Sequence, residues 1–283
     1  QEISTDNIKD IVEFIDEPIA DTSLIPSYLL SKVVSKYSKV VLGGDGSDEL
    51  FGGYTYYMRQ LKQKNYFSIF PYLLRSFLSR SFQNALPCGF RGRNLIHLLA
   101  DNYEDYPRPN NFFFDEFAIS QMKIPNFQSN QFPYFSDEDR LNYENMSFLR
   151  KSMIQDFLVY LPENILFKTD RASMSQSLEL RSPFLDFRLI EYVFMSLSDE
   201  FCCTSSKRKI ILRELGKKIL PKNFDFNRKQ GFIIPLNYYF RNKKFINDIK
   251  NVLLDDNSFF GRGFTNQLIN STYSKFFSNT ERI

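Results

Sequence analysis

Val40-Val41-Leu42-Gly43-Gly44-Asp45-Gly46-Ser47-Asp48-Glu49-Leu50-Phe51-Gly52-Gly53-Tyr54 is the stretch that decides the fold. It opens on three apolar residues with no polar alternation, the pattern of a strand buried on both faces. Gly43, Gly44 and Gly46 then leave the backbone almost bare, so a ligand can approach the main chain closely. Ser47 and Asp48 supply an N-cap, and Leu50, Tyr54, Met58 and Leu61 step along one helical face. Strand, glycine loop and helix together aim backbone N–H groups at an anion. Asp45, Asp48 and Glu49 would repel a bare phosphate. A Mg²⁺ removes the conflict, because carboxylate oxygens hold the metal while the metal holds the phosphates.

Working outward, residues 1–20 read as a helix marked by Ile8, Ile11 and Val12, running into an extended segment at Pro18. Asp21, Thr22 and Ser23 offer capping oxygens, and Pro26 suits a first helical turn. Leu30, Val33, Val34 and Tyr37 carry that helix to about Lys36. Residues 24–61 are thus helix, strand, glycine loop and helix, which implies an α/β fold: a parallel sheet with flanking helices. In such sheets ligands collect beyond the carboxyl ends of the strands, where 43–48 lie.

Composition narrows the function classes. Among 283 residues there are 31 Phe, 16 Tyr and no Trp, and the net charge of +3 is too small to argue for nucleic acid or a membrane surface. No apolar run approaches the roughly 18 residues of a membrane span. Cys88, Cys202 and Cys203 are too few for a disulfide framework, which makes the cytoplasm the expected compartment. His97 stands alone, leaving no material for a histidine zinc site or a Ser-His-Asp triad.

Residues 62–147 say little beyond a helix at Leu73, Leu74, Phe77 and Leu78, and read as a helical elaboration. From Phe148 the pattern sharpens: Leu149, Met153, Phe157 and Leu161 step by four along a helix expected to end at Pro162. Asp170 is expected to cap a helix over 171–178, Pro183 to break it, and Asp186 to cap the next, with Ile190, Val193, Phe194 and Leu197 inward. Asp170, Arg171, Glu179 and Arg181 then look like an ion-pair network between helix ends. A basic helix follows over 207–220, stopped by Pro221, and then Asn227-Arg228-Lys229-Gln230-Gly231-Phe232. The chain is expected to divide into a working domain over 1–245 and a polar helical tail over 246–283.

Three blocks carry a resemblance. Gly44-Asp45-Gly46-Ser47-Asp48-Glu49-Leu50-Phe51-Gly52-Gly53-Tyr54 resembles the second glycine loop of the synthetase domain of glutamine-dependent asparagine synthetases, with Gly43 where that family has serine. Leu161-Pro162-Glu163-Asn164-Ile165-Leu166-Phe167-Lys168-Thr169-Asp170-Arg171-Ala172-Ser173-Met174 and Leu178-Glu179-Leu180-Arg181-Ser182-Pro183-Phe184-Leu185-Asp186 resemble its second signature. Arg228-Lys229-Gln230-Gly231-Phe232 resembles its last. The resemblance implies an adenine nucleotide alpha hydrolase-like, pyrophosphate-loop ATPase fold followed by a largely helical C-terminal part.

The implied chemistry is amidation of aspartate through an acyl-adenylate, with ATP and Mg²⁺ as cofactors and ammonia drawn from glutamine. Gly43, Gly44, Gly46 and Ser47 would meet the nucleotide, Asp48 the metal, and Asp45 and Lys229 the reacting groups. Asp21, Asp170, Arg171, Glu179 and Arg181 would shape the amino-acid pocket, an acid for the ammonium and an arginine for the carboxylate. On residue chemistry alone, Asp21 and Ser23 read first as a helix cap. The family also implies a glutaminase domain and a first pyrophosphate loop ahead of Gln1, and neither corresponds to anything in 1–283, so the chain alone is expected to be inactive. A homodimer is the expected assembly. Another carboxylate acceptor, on a polysaccharide or peptide, and a non-catalytic fragment are the alternatives.

Overall fold

The computed structural model describes residues 10, 11, 13–17, 19, 21–67, 69–85, 99, 143, 145–226, 247 and 251. The chain divides into two compact units, Gln1–Asn110 with Ser136–Ile233, and Asn111–Phe135 with Ile234–Ile283. Nearly all described residues belong to the first. Lys229 and the expected tail over 246–283 lie outside them, apart from residues 247 and 251.

In the first unit a helix α1 (Leu24–Val34) leads to strand β1 (Val40–Leu42) and a short helix α2 (Ser47–Leu50). Helices α3 (Thr55–Phe67) and α4 (Tyr72–Ala85) follow. A second run opens with α5 (Phe148–Gln155), a π-type segment (Asp156–Leu166) and α6 (Phe167–Met174). Strand β2 (Glu179–Arg181), helix α7 (Phe187–Met195), the short α8 (Asp199–Cys202) and α9 (Ile210–Ile219) complete it. Among the described residues no helix is long and apolar enough to cross a membrane.

The two strands pair in parallel, Val40 with Glu179, Val41 with Leu180 and Leu42 with Arg181. The parallel sheet with helices around it is therefore as expected. Burial of β1 on both faces is not: Leu42 is 74% exposed and Val40 40%, and only the Val41–Leu180 face turns inward. Nor does one helix run through 47–61. The apolar spacing continues, but Gly52 adopts φ +61° and the chain turns between Phe51 and Tyr54 before α3 begins.

The expected stop at Pro162 is also overturned. Phe148 to Met174 is one helical rod in three consecutive segments, with Pro162 inside the π-type part. Proline lacks an N–H and its ring crowds the preceding turn. A widened π turn absorbs both, and the Phe167 N–H still reaches the Pro162 carbonyl. Asp170 consequently lies inside α6 rather than capping a helix over 171–178. Asp186 does cap its helix, accepting from the Arg188 N–H.

One core cluster gathers Leu50, Phe51, Tyr57, Leu149, Met153, Val193, Leu197, Cys202 and Cys203, with Ile190 and Phe194 packed against it. Buried Arg150 ties this core to the C-terminal end of α7, donating to the carbonyls of Val193 at 2.8 Å and Leu197 at 2.6 Å. The Val193 carbonyl is one that the end of α7 leaves unsatisfied, and Leu197 lies just past that end. A smaller cluster of Ile11, Leu24, Tyr28 and Ala172 packs α1 against α6. That second contact brings Asp21 to Lys168.

Candidate active site

At the carboxyl end of β1 the Gly43 N–H donates to the Arg181 carbonyl at 2.7 Å, so the glycine loop leaves the sheet already tied to β2. The three loop glycines have different reasons to lack a side chain. A Cβ on Gly43 would stand 2.8 Å from Leu180 Cδ2. Gly46, at φ +86°, is the residue preceding α2 and would drive a Cβ into Leu185. Only Gly44 faces open space, with nothing within 4 Å of its Cβ direction. Gly46, not Ser47 or Asp48, therefore holds the capping position, and Ser47 is the first helical residue.

Two charged clusters flank this loop. In the first, buried Lys168 donates to Asp21 Oδ2 at 2.7 Å and Ser23 Oγ at 2.8 Å. Burial pushes the Asp21 carboxyl up, but hydrogen bonds from Lys168 and Ser23 outweigh it and leave the pKa below the ordinary value. Asp45 feels the same ammonium. Burial raises its pKa, and Lys168 and the Thr169 hydroxyl pull it back only in part.

The second cluster lies at α2. Lys209, itself in the left-handed region at φ 49°, places its ammonium 3.0 Å from Asp48 Oδ1 and 2.9 Å from Ser47 Oγ. Behind both stands a buried tyrosine–carboxylate group. Tyr54 donates to Glu49, and Tyr56 and Tyr57 both donate to Asp156, the latter at 2.6 Å. Burial raises the Glu49 pKa, and it lifts Asp156 to about 6 against the pull of its two hydroxyl donors.

The remaining candidates do not join these clusters. Arg171 pairs with Asp16 at 2.6 Å. Glu179 and Arg181 pair with each other at 2.7 Å on the exposed face of β2. Asp170 is exposed on α6. The expected four-charge network is thus absent among the described residues, because Glu179 and Arg181 sit on a strand and not at helix ends. Lys168 and Lys209 are the site cations that sequence reasoning did not place. Lys168 lay within a quoted motif, but nothing in its spacing marked it as buried, and Lys209 read as one of several lysines in a basic helix.

The Asn_synthase family model, described as asparagine synthase, matches residues 1–282. The chain belongs to the asparagine synthase family. It is 30% identical over 239 residues to "Asparagine synthetase [glutamine-hydrolyzing] 1" of Bacillus subtilis, covering 82% of this chain and 36% of that protein. It is 31% identical over 239 residues to a "Putative asparagine synthetase [glutamine-hydrolyzing]" of Mycobacterium tuberculosis, covering 83% and 35%. A shorter match, 54% over 39 residues, is to a "Putative asparagine synthetase [glutamine-hydrolyzing] 2" of Methanocaldococcus jannaschii. The chain spans about a third of the length of the full-length relatives it matches. No solved structure matches. In this chain the glycine loop and the segment carrying Lys168 adjoin, Asp45 facing Lys168 and Thr169.

Proposed function

We propose that this chain is the amide-forming part of an asparagine synthetase: ATP activates the side-chain carboxylate of aspartate as an acyl-adenylate, and ammonia displaces AMP to give asparagine. The observation that carries the reading is the convergence of Asp21, Lys168 and Asp45 at the open end of the strand–glycine loop unit, from three separate parts of the chain. Gly44 offers the close backbone approach a nucleotide needs, with Gly43, Gly46 and Ser47 completing the loop. Asp45 would take a proton from the attacking ammonia, for which an elevated pKa suits it.

Asp48 has the hard oxygen donors that Mg²⁺ takes together with phosphate oxygens, and its neighbour Lys209 is a cation able to share the same anionic ligand. Mg²⁺ bound there would offset negative charge on the phosphates. Lys229 would lend a further cation to the reacting phosphorus. Asp170, Arg171, Glu179 and Arg181 would orient the amino acid, Arg171 on giving up Asp16 and Arg181 on giving up Glu179. Ammonia would come from glutamine through a glutaminase domain outside this chain.

The test is aspartate-dependent ATP–pyrophosphate exchange by the full-length protein that carries this chain, with Mg²⁺ present. Exchange that starts only on adding aspartate supports the reading. Exchange that ignores aspartate but responds to another carboxylate overturns the substrate. Lys229→Met should slow single-turnover AMP formation, with ammonia supplied directly, by about 10²–10³, the usual loss for one preorganised donor to developing charge. A parental rate would remove Lys229 from the site.

A further inference from the structure

A cavity of about 450 Å³ is lined by residues on either side of Lys209 in the chain, and none of residues 43–48 lines it. Its wall carries Lys207, Arg208, Arg213 and Lys217 against a single carboxylate, Glu214. Arg213, Glu214 and Lys217 come from successive turns of one face of α9, while Lys207 and Arg208 come from the segment leading into it. Glu214 lies against Lys217 at 2.6 Å and also feels Lys207, so one carboxylate faces four cations. The Arg213 guanidinium is half-buried, and among the described residues its side chain takes up neither hydrogen bond nor ion pair. Arg208 is fixed from behind, Nη1 donating to the Gly53 carbonyl at 2.8 Å. Holding that many like charges around one space costs repulsion unless an anion enters it.

We propose that this cavity binds a small organic phosphate. Hydroxyls of Thr55 and Ser206 join the cations as donors to phosphate oxygens, and Phe226 and Met58 give an apolar wall for a ring or carbon chain. An apolar wall beside a charged one separates an organic phosphate from a free inorganic ion. The site goes beyond the amide-forming reading and does not depend on it. It shares a backbone segment with Lys209, whose ammonium holds Ser47 and Asp48.

Phenyl phosphate, which pairs a ring with a dianion and is no nucleotide, is the probe. Calorimetric titration into the 283-residue chain at low salt should show saturable one-to-one binding. Arg213→Gln with Lys217→Gln should weaken it at least tenfold. Glu214→Gln should tighten it several-fold by releasing Lys217, a change that purely structural roles would not produce. Should the double variant lose its helical circular dichroism, Glu214→Gln decides: unchanged or weaker binding overturns the proposal. Absence of saturable binding overturns it too. Inorganic phosphate binding as tightly as phenyl phosphate overturns the organic assignment. Gly44→Ala should leave the titration unchanged; loss of binding there would put the probe at the glycine loop and overturn the site. Failure of aspartate-dependent exchange would strike the amide-forming reading and leave this one standing.

Discussion

Gly44 and Gly46 separate ligand approach from folding within three residues of chain. Gly46→Ala meets both a positive φ and Leu185, and should cost about 2 kcal/mol or more in chemical denaturation. Gly44→Ala meets nothing and should leave stability within about 0.5 kcal/mol, while weakening ATP binding in a nucleotide titration. Equal destabilisation by the two would return Gly44 to a packing role. Lys168 makes a second case at this scale. Its ammonium is buried with Asp21 and Ser23, so Lys168→Met strands a carboxylate and should cost about 1–3 kcal/mol. A Lys168→Met, Asp21→Asn double-mutant cycle should return coupling well above the roughly 0–1 kcal/mol of an exposed pair. Residue types were legible in the sequence here, and partners were not. Asp21 and Ser23 read as a helix cap, but Ser23 makes no side-chain capping hydrogen bond, and the pair is instead the seat of a lysine 145 residues or more away in the chain.

Elements with their own periodicity were legible, and those defined by a partner were not. Helix α1, strand β1 and the rod from Phe148 all announce themselves through apolar spacing. Strand β2 is Glu-Leu-Arg, with one apolar residue between two charges, and becomes a strand only because β1 pairs with it. Pro162 misled because helix stop rules assume the α turn, and a π-type turn escapes them. The start of the rod is conventional: the Ser147 hydroxyl accepts from the Arg150 N–H at 3.1 Å. Ser147→Ala should therefore lower stability by about 1 kcal/mol and Ser147→Gly by only a few tenths, measured by urea denaturation. Comparable losses would show that the Ser147–Asp199 contact, and not the cap, is what matters.

At the scale of the molecule, Asp156 and Asp21, both among the described residues, pull the pH response in opposite directions. Asp156 has a folded pKa of about 6, above its ordinary value, so the folded state binds a proton that the unfolded chain has released. Its contribution is greatest at low pH and is lost as pH rises from about 4 through about 6, by roughly 3 kcal/mol. Asp21 acts in the opposite sense. Its folded pKa is depressed, so the stability it adds is present above the ordinary carboxylate value and is lost as pH falls through the lower folded value. Asp156→Asn should flatten the decline between about pH 4 and pH 6 in denaturation curves and leave the loss at still lower pH in place. An unchanged profile would assign the decline to another group. No window in the sequence foretold this, because Asp156 is an ordinary polar position on its helix until Tyr56 and Tyr57 close over it.

The uninterrupted rod over Pro162 has a genetic consequence. Each residue in a regular helix turns the chain by about 100° and advances it about 1.5 Å. A one-codon deletion between Leu161 and Lys168 would keep every flanking side chain and still swing Lys168 away from Asp21, because the loop that could have absorbed the change does not exist. That stretch should accept many single replacements in a deep mutational library and almost no in-frame insertions or deletions, whereas the connection over 35–39 should accept both.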